Sequence, residues 1–180
     1  MAILKIARMG HPVLHRVADQ VADPTSPEIR KLIADMFETM EDANGAGLAA
    51  PQVHVPLRLF VFRVAATRVS GDAEDVQVAN RVVINPVVTL LGDDVRMRFE
   101  GCLSIPGMRA AVPRHWRIRY EGVDTDNAPV GGEVTGFHAG VVQHEYDHLD
   151  GILYPSRLTD FSLFGFSEEI NRVIAERGGN

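Results

Sequence analysis

Apolar residues recur at three- and four-residue spacing between residues 27 and 43, where Ile29, Leu32, Ile33, Met36, Phe37 and Met40 define the buried face of a helix. Ser26 can cap that helix, Pro27 suits its first position, Glu28 favours the positive end of its dipole, and Asn44-Gly45 ends it. The pattern then changes to that of strands. Residues 57–64 are rich in β-formers, residues 81–91 and 95–99 flank Gly92-Asp93-Asp94 and predict a hairpin, and residues 116–123 and about 130–137 add further strands. Residues 71–75 have the composition of an exposed loop tip. A second helix is expected from near Ala139 to Gly151, with Val141, Val142 and Leu149 facing inward. Helix or turn is expected over residues 167–176, where Ile170, Val173 and Ile174 form an apolar stripe. Strands grouped in the middle of the chain, with few helices, predict an α+β fold rather than alternating α/β.

Neither a repeat nor a long linker divides the 180 residues, so a single domain over residues 1–180 is expected. A formal net charge of −6 argues against broad nucleic-acid binding, which needs a positive surface. Arg109, Arg114, Arg117 and Arg119 form a local basic run, expected to be a solvated strand face or edge. Residues 1–16 are interrupted by Lys5, Arg8, His11, His15 and Arg16 and do not read as a signal peptide. No segment reaches the roughly 18 apolar residues that cross a bilayer, so no membrane partner is expected. One cysteine cannot form an internal disulfide, and the expected location is cytoplasmic.

Candidate chemistry is concentrated in three stretches. In His144-Glu145-Tyr146-Asp147-His148 the two histidines are four apart, so on a helix both can bind one metal ion, and Glu145 can reach a water as general base. Asp147 is placed to orient a ligand from behind. A catalytic metal usually takes a third protein ligand. The extended zincin pattern would supply a histidine at position 154, where Tyr154 stands instead. Asp160, Glu168 or Glu169 are other sources, and so is Cys102 in Glu100-Gly101-Cys102-Leu103-Ser104. A lone cysteine can equally be a small buried hydrophobe or a nucleophile paired with histidine, and spacing does not choose among these. The third stretch, Gly45-Ala46-Gly47-Leu48-Ala49-Ala50-Pro51-Gln52, is open enough for a substrate backbone to approach. Gln52 there offers an amide donor to developing negative charge. Alone, this stretch reads as a plain loop.

Taken together and in order, these stretches resemble the three motifs of the peptide deformylase family, G-x-G-L-A-A-x-Q, E-G-C-x-S and H-E-x-x-H. Ile84-Asn85-Pro86, Ile105-Pro106 with Arg109, and Gln143 look like family positions too, and the likeness runs from Gly10 to about Leu158. The resemblance implies small mixed or antiparallel sheets packed around a central helix that carries H-E-x-x-H. It implies removal of the formyl group from the N-terminal formyl-methionine of new polypeptides. In that reading Cys102, His144 and His148 bind the metal and Glu145 moves the proton. The Gln52 side chain and the Leu103 backbone N–H hold the oxyanion, and the extended peptide pairs near Gly45, Ala46, Gly47 and Gly101, with an apolar pocket for methionine. The ligand set alone favours zinc. The resemblance instead implies Fe(II) in the cell, with zinc, nickel or cobalt able to substitute.

Two departures matter. Members of the family often end in a long basic helix that contacts the ribosome. Here residues 167–180 hold Glu168, Glu169 and Glu176 against Arg172 and Arg177, so ribosome docking by this tail is not expected. Phe161, Phe164 and Phe166 are expected to cover the core, with an interface as the alternative. Ala46 stands where larger aliphatics are common in the family, which leaves room for a deformylase-like paralogue with another formylated substrate. A zincin-type metallopeptidase, using the two histidines and Glu145 without Cys102, is the other alternative.

Overall fold

The computed structural model describes residues 2–176; Met1 and residues 177–180, including the Arg177 of the tail's charge count, lie outside the described residues. Helix α1 (Pro27–Asp42) begins as its sequence predicts, with Ser26 Oγ accepting from the Ile29 N–H at 3.3 Å. It stops before Asn44, whose φ of +53° leaves the helical region.

Six strands follow: β1 (Gly47–Ala49), β2 (Leu59–Val64), β3 (Val78–Cys102), β4 (Ile105–Val123), β5 (Pro129–Thr135) and, after helix α2 (Gly136–Leu149), β6 (Phe164–Phe166). Helix α3 (Ser167–Glu176) closes the described chain. The strands form one antiparallel sheet in the order β1-β2-β3-β4-β5, with β6 added to β4. The fold is therefore α+β, as expected. No helix among the described residues is long and apolar enough to cross a membrane.

The predicted hairpin at Gly92-Asp93-Asp94 is not there. Leu91 pairs with Arg117 and Val95 with His115, so three residues bulge out opposite Trp116 and β3 runs on as one strand. The turn residues are real, but β4 is long enough to pair with both flanks, and the ladder closes across them. The chain reverses instead at Leu103-Ser104, between paired Cys102 and Ile105. Past Ile84, β3 pairs only with β4 among the named strands.

Alternation along β2 divides the core. Leu59 and Val61 face α1, packing with Ile33, Met36 and Met40, while Phe60 and Phe62 face α2, packing with Ala139, Val142 and Leu149. Eleven of the fourteen residues of α2 are buried, so the helix is enclosed rather than laid on the surface. It starts at Gly136, three residues earlier than predicted, because the Asp75 carboxylate accepts from the Phe137 and His138 N–H groups at 3.0 and 3.1 Å. Burial pushes Asp75 up, but these donors and Ser70 outweigh it and hold its carboxyl below the ordinary value. Asp75 thus corrects the expectation of a wholly exposed 71–75 tip; it is buried. The aromatic run splits as well. Phe164 packs against Tyr154, while Phe161 and Phe166 are exposed.

Candidate active site

The short reversal after β3 puts Cys102 at the tip of a hairpin, and the enclosed helix α2 carries His144 and His148 beneath it. Cys102 Sγ lies 3.2 Å from His148 Nε2. Ligand atoms of Cys102, His144 and His148 all lie within 4.8 Å of one another, the one such group of three among the described residues. The open choice of third ligand therefore falls on Cys102. Asp160 instead accepts from the Ser162 N–H, Glu169 pairs with Arg172, and Glu168 is no part of the group. Tyr154, where a zincin histidine would stand, is buried and stacked on the His144 ring at 6.1 Å between centroids.

A chain of buried charges orients the first histidine. Glu100 Oε2 is 2.9 Å from His144 Nδ1, so Nδ1 carries the proton toward Glu100 and Nε2 is left as the ligand atom. Arg114 forks onto both oxygens of Glu100 at 2.8 and 2.9 Å and reaches Asp147 at 2.6 Å, and Arg157 holds Asp147 from the other side at 2.7 Å. Asp147 therefore acts through Arg114 and Glu100 rather than on a histidine directly. Arg114, expected on a solvated face, is the buried hinge of this network, whereas Arg117 and Arg119 do lie outside, paired with Glu74 and Glu133.

The electrostatics suit a cation. Burial pushes Glu100 up, but His144 and Arg114 outweigh it and hold its carboxyl down to about 2. Burial opposes charge on His144, yet the Cys102 sulfur and Glu100 outweigh it and raise the imidazole well above its ordinary value. Anions that stabilise a proton there also stabilise a divalent ion, and two imidazoles with a thiol are a donor set that zinc or ferrous iron accepts. His148 is pushed well below its ordinary value by burial and by His144, so it stays neutral, the form that ligates.

Glu145 points into the same space. It is buried, its Oε2 has no hydrogen-bond partner among the described residues, and burial pushes its carboxyl up to about 7. The glycines of the first motif are packing solutions as well as open backbone. A Cβ at Gly47 would stand 2.3 Å from Glu145 Oε1, and one at Gly45 would press on Leu103 Cδ1 at 3.0 Å. Gln52 is buried and fixed: Oε1 accepts from the Ala49 N–H at 2.8 Å, while Nε2 donates to Ser104 Oγ at 3.1 Å and faces Cys102 Sγ at 3.4 Å. The N-terminal segment fastens both loops, with the Ala7 N–H on Gln52 O and the Met9 N–H on Ser104 O.

The reactive groups open onto one cavity of about 620 Å³, with Arg114, Asp147 and Arg157 behind them outside it. Gly45, Ala46, Gly47, Gln52, Gly101, Cys102, Leu103, His144 and Glu145 line it, whereas His148 and Asp147 do not. His148 lies just behind, fully buried. Sequence reasoning passed over Arg98 and Gly140, which line it too. Neither belongs to a motif, and only the packing of β3 on α2 brings them together.

The family model described as "Polypeptide deformylase" matches residues 3–163. "Peptide deformylase 1" of Nitrosomonas europaea is 48% identical over 93% of this chain and 94% of its own length. "Peptide deformylase 2" of Ralstonia nicotianae is 48% identical over 92% and 93%. Among solved structures, peptide deformylase from Ehrlichia chaffeensis in complex with actinonin superposes with a TM-score of 0.83 at 30% identity, covering 99% of both chains. That from Thermotoga maritima gives 0.79 at 34% identity, covering 89% of this chain and all of the other.

Proposed function

We infer the reaction from one premise, that this chain belongs to the polypeptide deformylase family. It is a hydrolase that removes the formyl group from the N-terminal formyl-methionine of newly made polypeptides and releases formate. The observation that carries this reading into the residues is the Cys102, His144, His148 cluster with Glu145 beside it in one cavity. Residues 1–180 act as one catalytic domain, a reading supported by the family match over 3–163.

Cys102, His144 and His148 would hold one divalent ion, Fe(II) in the cell, with zinc, nickel or cobalt in some preparations. Bound there, the ion supplies Lewis acidity and makes water a nucleophile near neutral pH. Glu145, with its carboxyl near 7, takes the proton of the attacking water at its free carboxylate oxygen and passes it to the leaving amine. Gln52 Nε2 and the Leu103 N–H hold the oxyanion that forms from the formyl oxygen; Ser104 and Ala49 fix the Gln52 amide for that task. The peptide backbone runs past Gly45, Ala46, Gly47 and Gly101, reading main chain more than side chains. Partners are thus formylated nascent chains, met in the cytoplasm.

The test is formate release from formyl-Met-Ala-Ser by protein prepared anaerobically with Fe(II), beside Glu145→Gln. Release that vanishes in the variant while metal stays bound supports the reading. A folded, metal-loaded wild type that releases nothing sinks it.

A further inference from the structure

The cavity wall contains a cation without a full partner. Glu100, the nearest carboxylate, gives its oxygens to Arg114 and His144 and approaches Arg98 Nε only to 3.8 Å. That Nε is sealed from solvent with no hydrogen-bond partner among the described residues, while the Arg98 side chain as a whole is 21% exposed and lines the cavity. Arg98 Nη1 donates to the Gly136 carbonyl at 2.7 Å, which fixes the guanidinium, and the Phe137 ring lies beside it at 5.1 Å.

Gly140 makes this possible. A Cβ there would fall 2.0 Å from Arg98 Nη1 and 2.1 Å from Cζ. One turn before His144, the place where a helix would normally put an apolar side chain is therefore filled by a charge reaching in from β3. Arg98, Phe137, Gly140, Val141 and His144 together form the α2 side of the cavity. A guanidinium keeps its proton even when buried, so Arg98 itself stays charged across the working pH range.

We propose that Arg98 is a specificity-determining residue: its guanidinium contacts the first side chain of the formylated substrate and favours side chains with a terminal hydrogen-bond acceptor, methionine sulfoxide above all, over aliphatic ones of equal length. The proposal rests on the deformylase reading, which puts the formyl carbon by Glu145 and hence the first side chain in this cavity. Methionine offers a weak sulfur acceptor, its sulfoxide a strong oxygen acceptor, and norleucine none. A charged group exposed in the cavity separates such side chains strongly, because an aliphatic one displaces its water and offers no acceptor in return.

The experiment compares kcat/KM for formyl-Met(O)-Ala-Ser and formyl-Nle-Ala-Ser, read as formate release, in wild type and Arg98→Met. The ratio of sulfoxide to norleucine is expected to fall about tenfold or more in the variant. The fall should be in KM, since the contact is made alike in ground and transition states. Arg98→Lys, which keeps the charge but loses the fork, should recover part of it. An unchanged ratio in a folded Arg98→Met protein that still deformylates formyl-Met-Ala-Ser overturns the proposal and leaves the deformylase reading standing. A wild type inactive on all three peptides overturns both. If Arg98→Met does not fold, Gly140→Ala unseats the guanidinium without removing it; the ratio should fall there too, and an unchanged ratio again overturns the proposal.

Discussion

The Glu145 carboxylate occupies the space that a side chain at Gly47 would need, with Oε1 2.3 Å and the carboxyl carbon 2.7 Å from where that Cβ would stand. The bare backbone of β1 is thus what seats Glu145 against the Cys102, His144 and His148 cluster. Gly47→Ala is expected to lower kcat about a hundredfold by displacing the carboxylate while metal content stays at the wild-type level. Steady-state kinetics on formyl-Met-Ala-Ser with metal analysis would decide it, and an unchanged kcat would mean that Glu145 has another seat.

Arg114 should matter for the metal although it touches none of its ligands. Arg114→Leu takes the shared guanidinium from two buried carboxylates, leaving Glu100 hydrogen-bonded only to His144 and Asp147 only to Arg157, at a cost of about 3 kcal/mol in stability. Loss of the support behind His144 should weaken metal binding about 10–100-fold. Asp147→Asn should act in the same direction and less. Thermal unfolding and chelator competition measure both effects. Wild-type affinity in Arg114→Leu would mean that Glu100 holds His144 unaided.

Cys102→Ser removes the sulfur 3.2 Å from His148 Nε2 and, on the proposed ligand set, should release the metal to a chelator that leaves wild type loaded. Loading the wild type with Fe(II) or with zinc adds a second reading: the iron form should lose activity in air and the zinc form should not, as expected for oxidation of an iron–thiolate pair. Equal air stability of the two forms would count against iron as the working ion.

His138 makes a prediction about acid. Burial and Arg81 hold its imidazole down to about 4, against an ordinary 6.5. Unfolded chains take up a proton as pH falls through 6.5, whereas folded chains do not until about 4. Stability is therefore complete above pH 6.5 and declines between 6.5 and 4, by about 3 kcal/mol in all from this group. His138→Phe, packed against Phe62 and Tyr120, should lose this slope. Urea unfolding of both proteins at pH 7 and pH 5, loaded with the same metal, would show it, and identical differences at the two pH values would refute it.

What could be seen in the sequence was what is local. Helix α1 is set by a cap, a proline and a stripe within one stretch, and its observed end lies within a residue of the expected one. The two histidines are four apart on α2, and that spacing alone brings them together. What could not be seen depends on distant pairing. Asp75 starts α2 from sixty residues away, and β4 turns the Gly92-Asp93-Asp94 hairpin into a bulge. Arg114 shared its stretch with the solvated Arg117 and Arg119, and only the arrival of Asp147 and Glu100 sets it apart.

That bulge also bears on how copies of this protein tolerate one another. Past Ile84 the outer edge of β3 is an open ladder, and Val87, Leu90, Val95 and Met97 along it are about half-exposed. An uninterrupted apolar edge of this kind is a template for another chain. Gly92-Asp93-Asp94 breaks it in the middle with a bulge and two carboxylates, features that disfavour pairing by another strand. Three residues that look like a failed turn thus interrupt the edge of the longest strand at its middle.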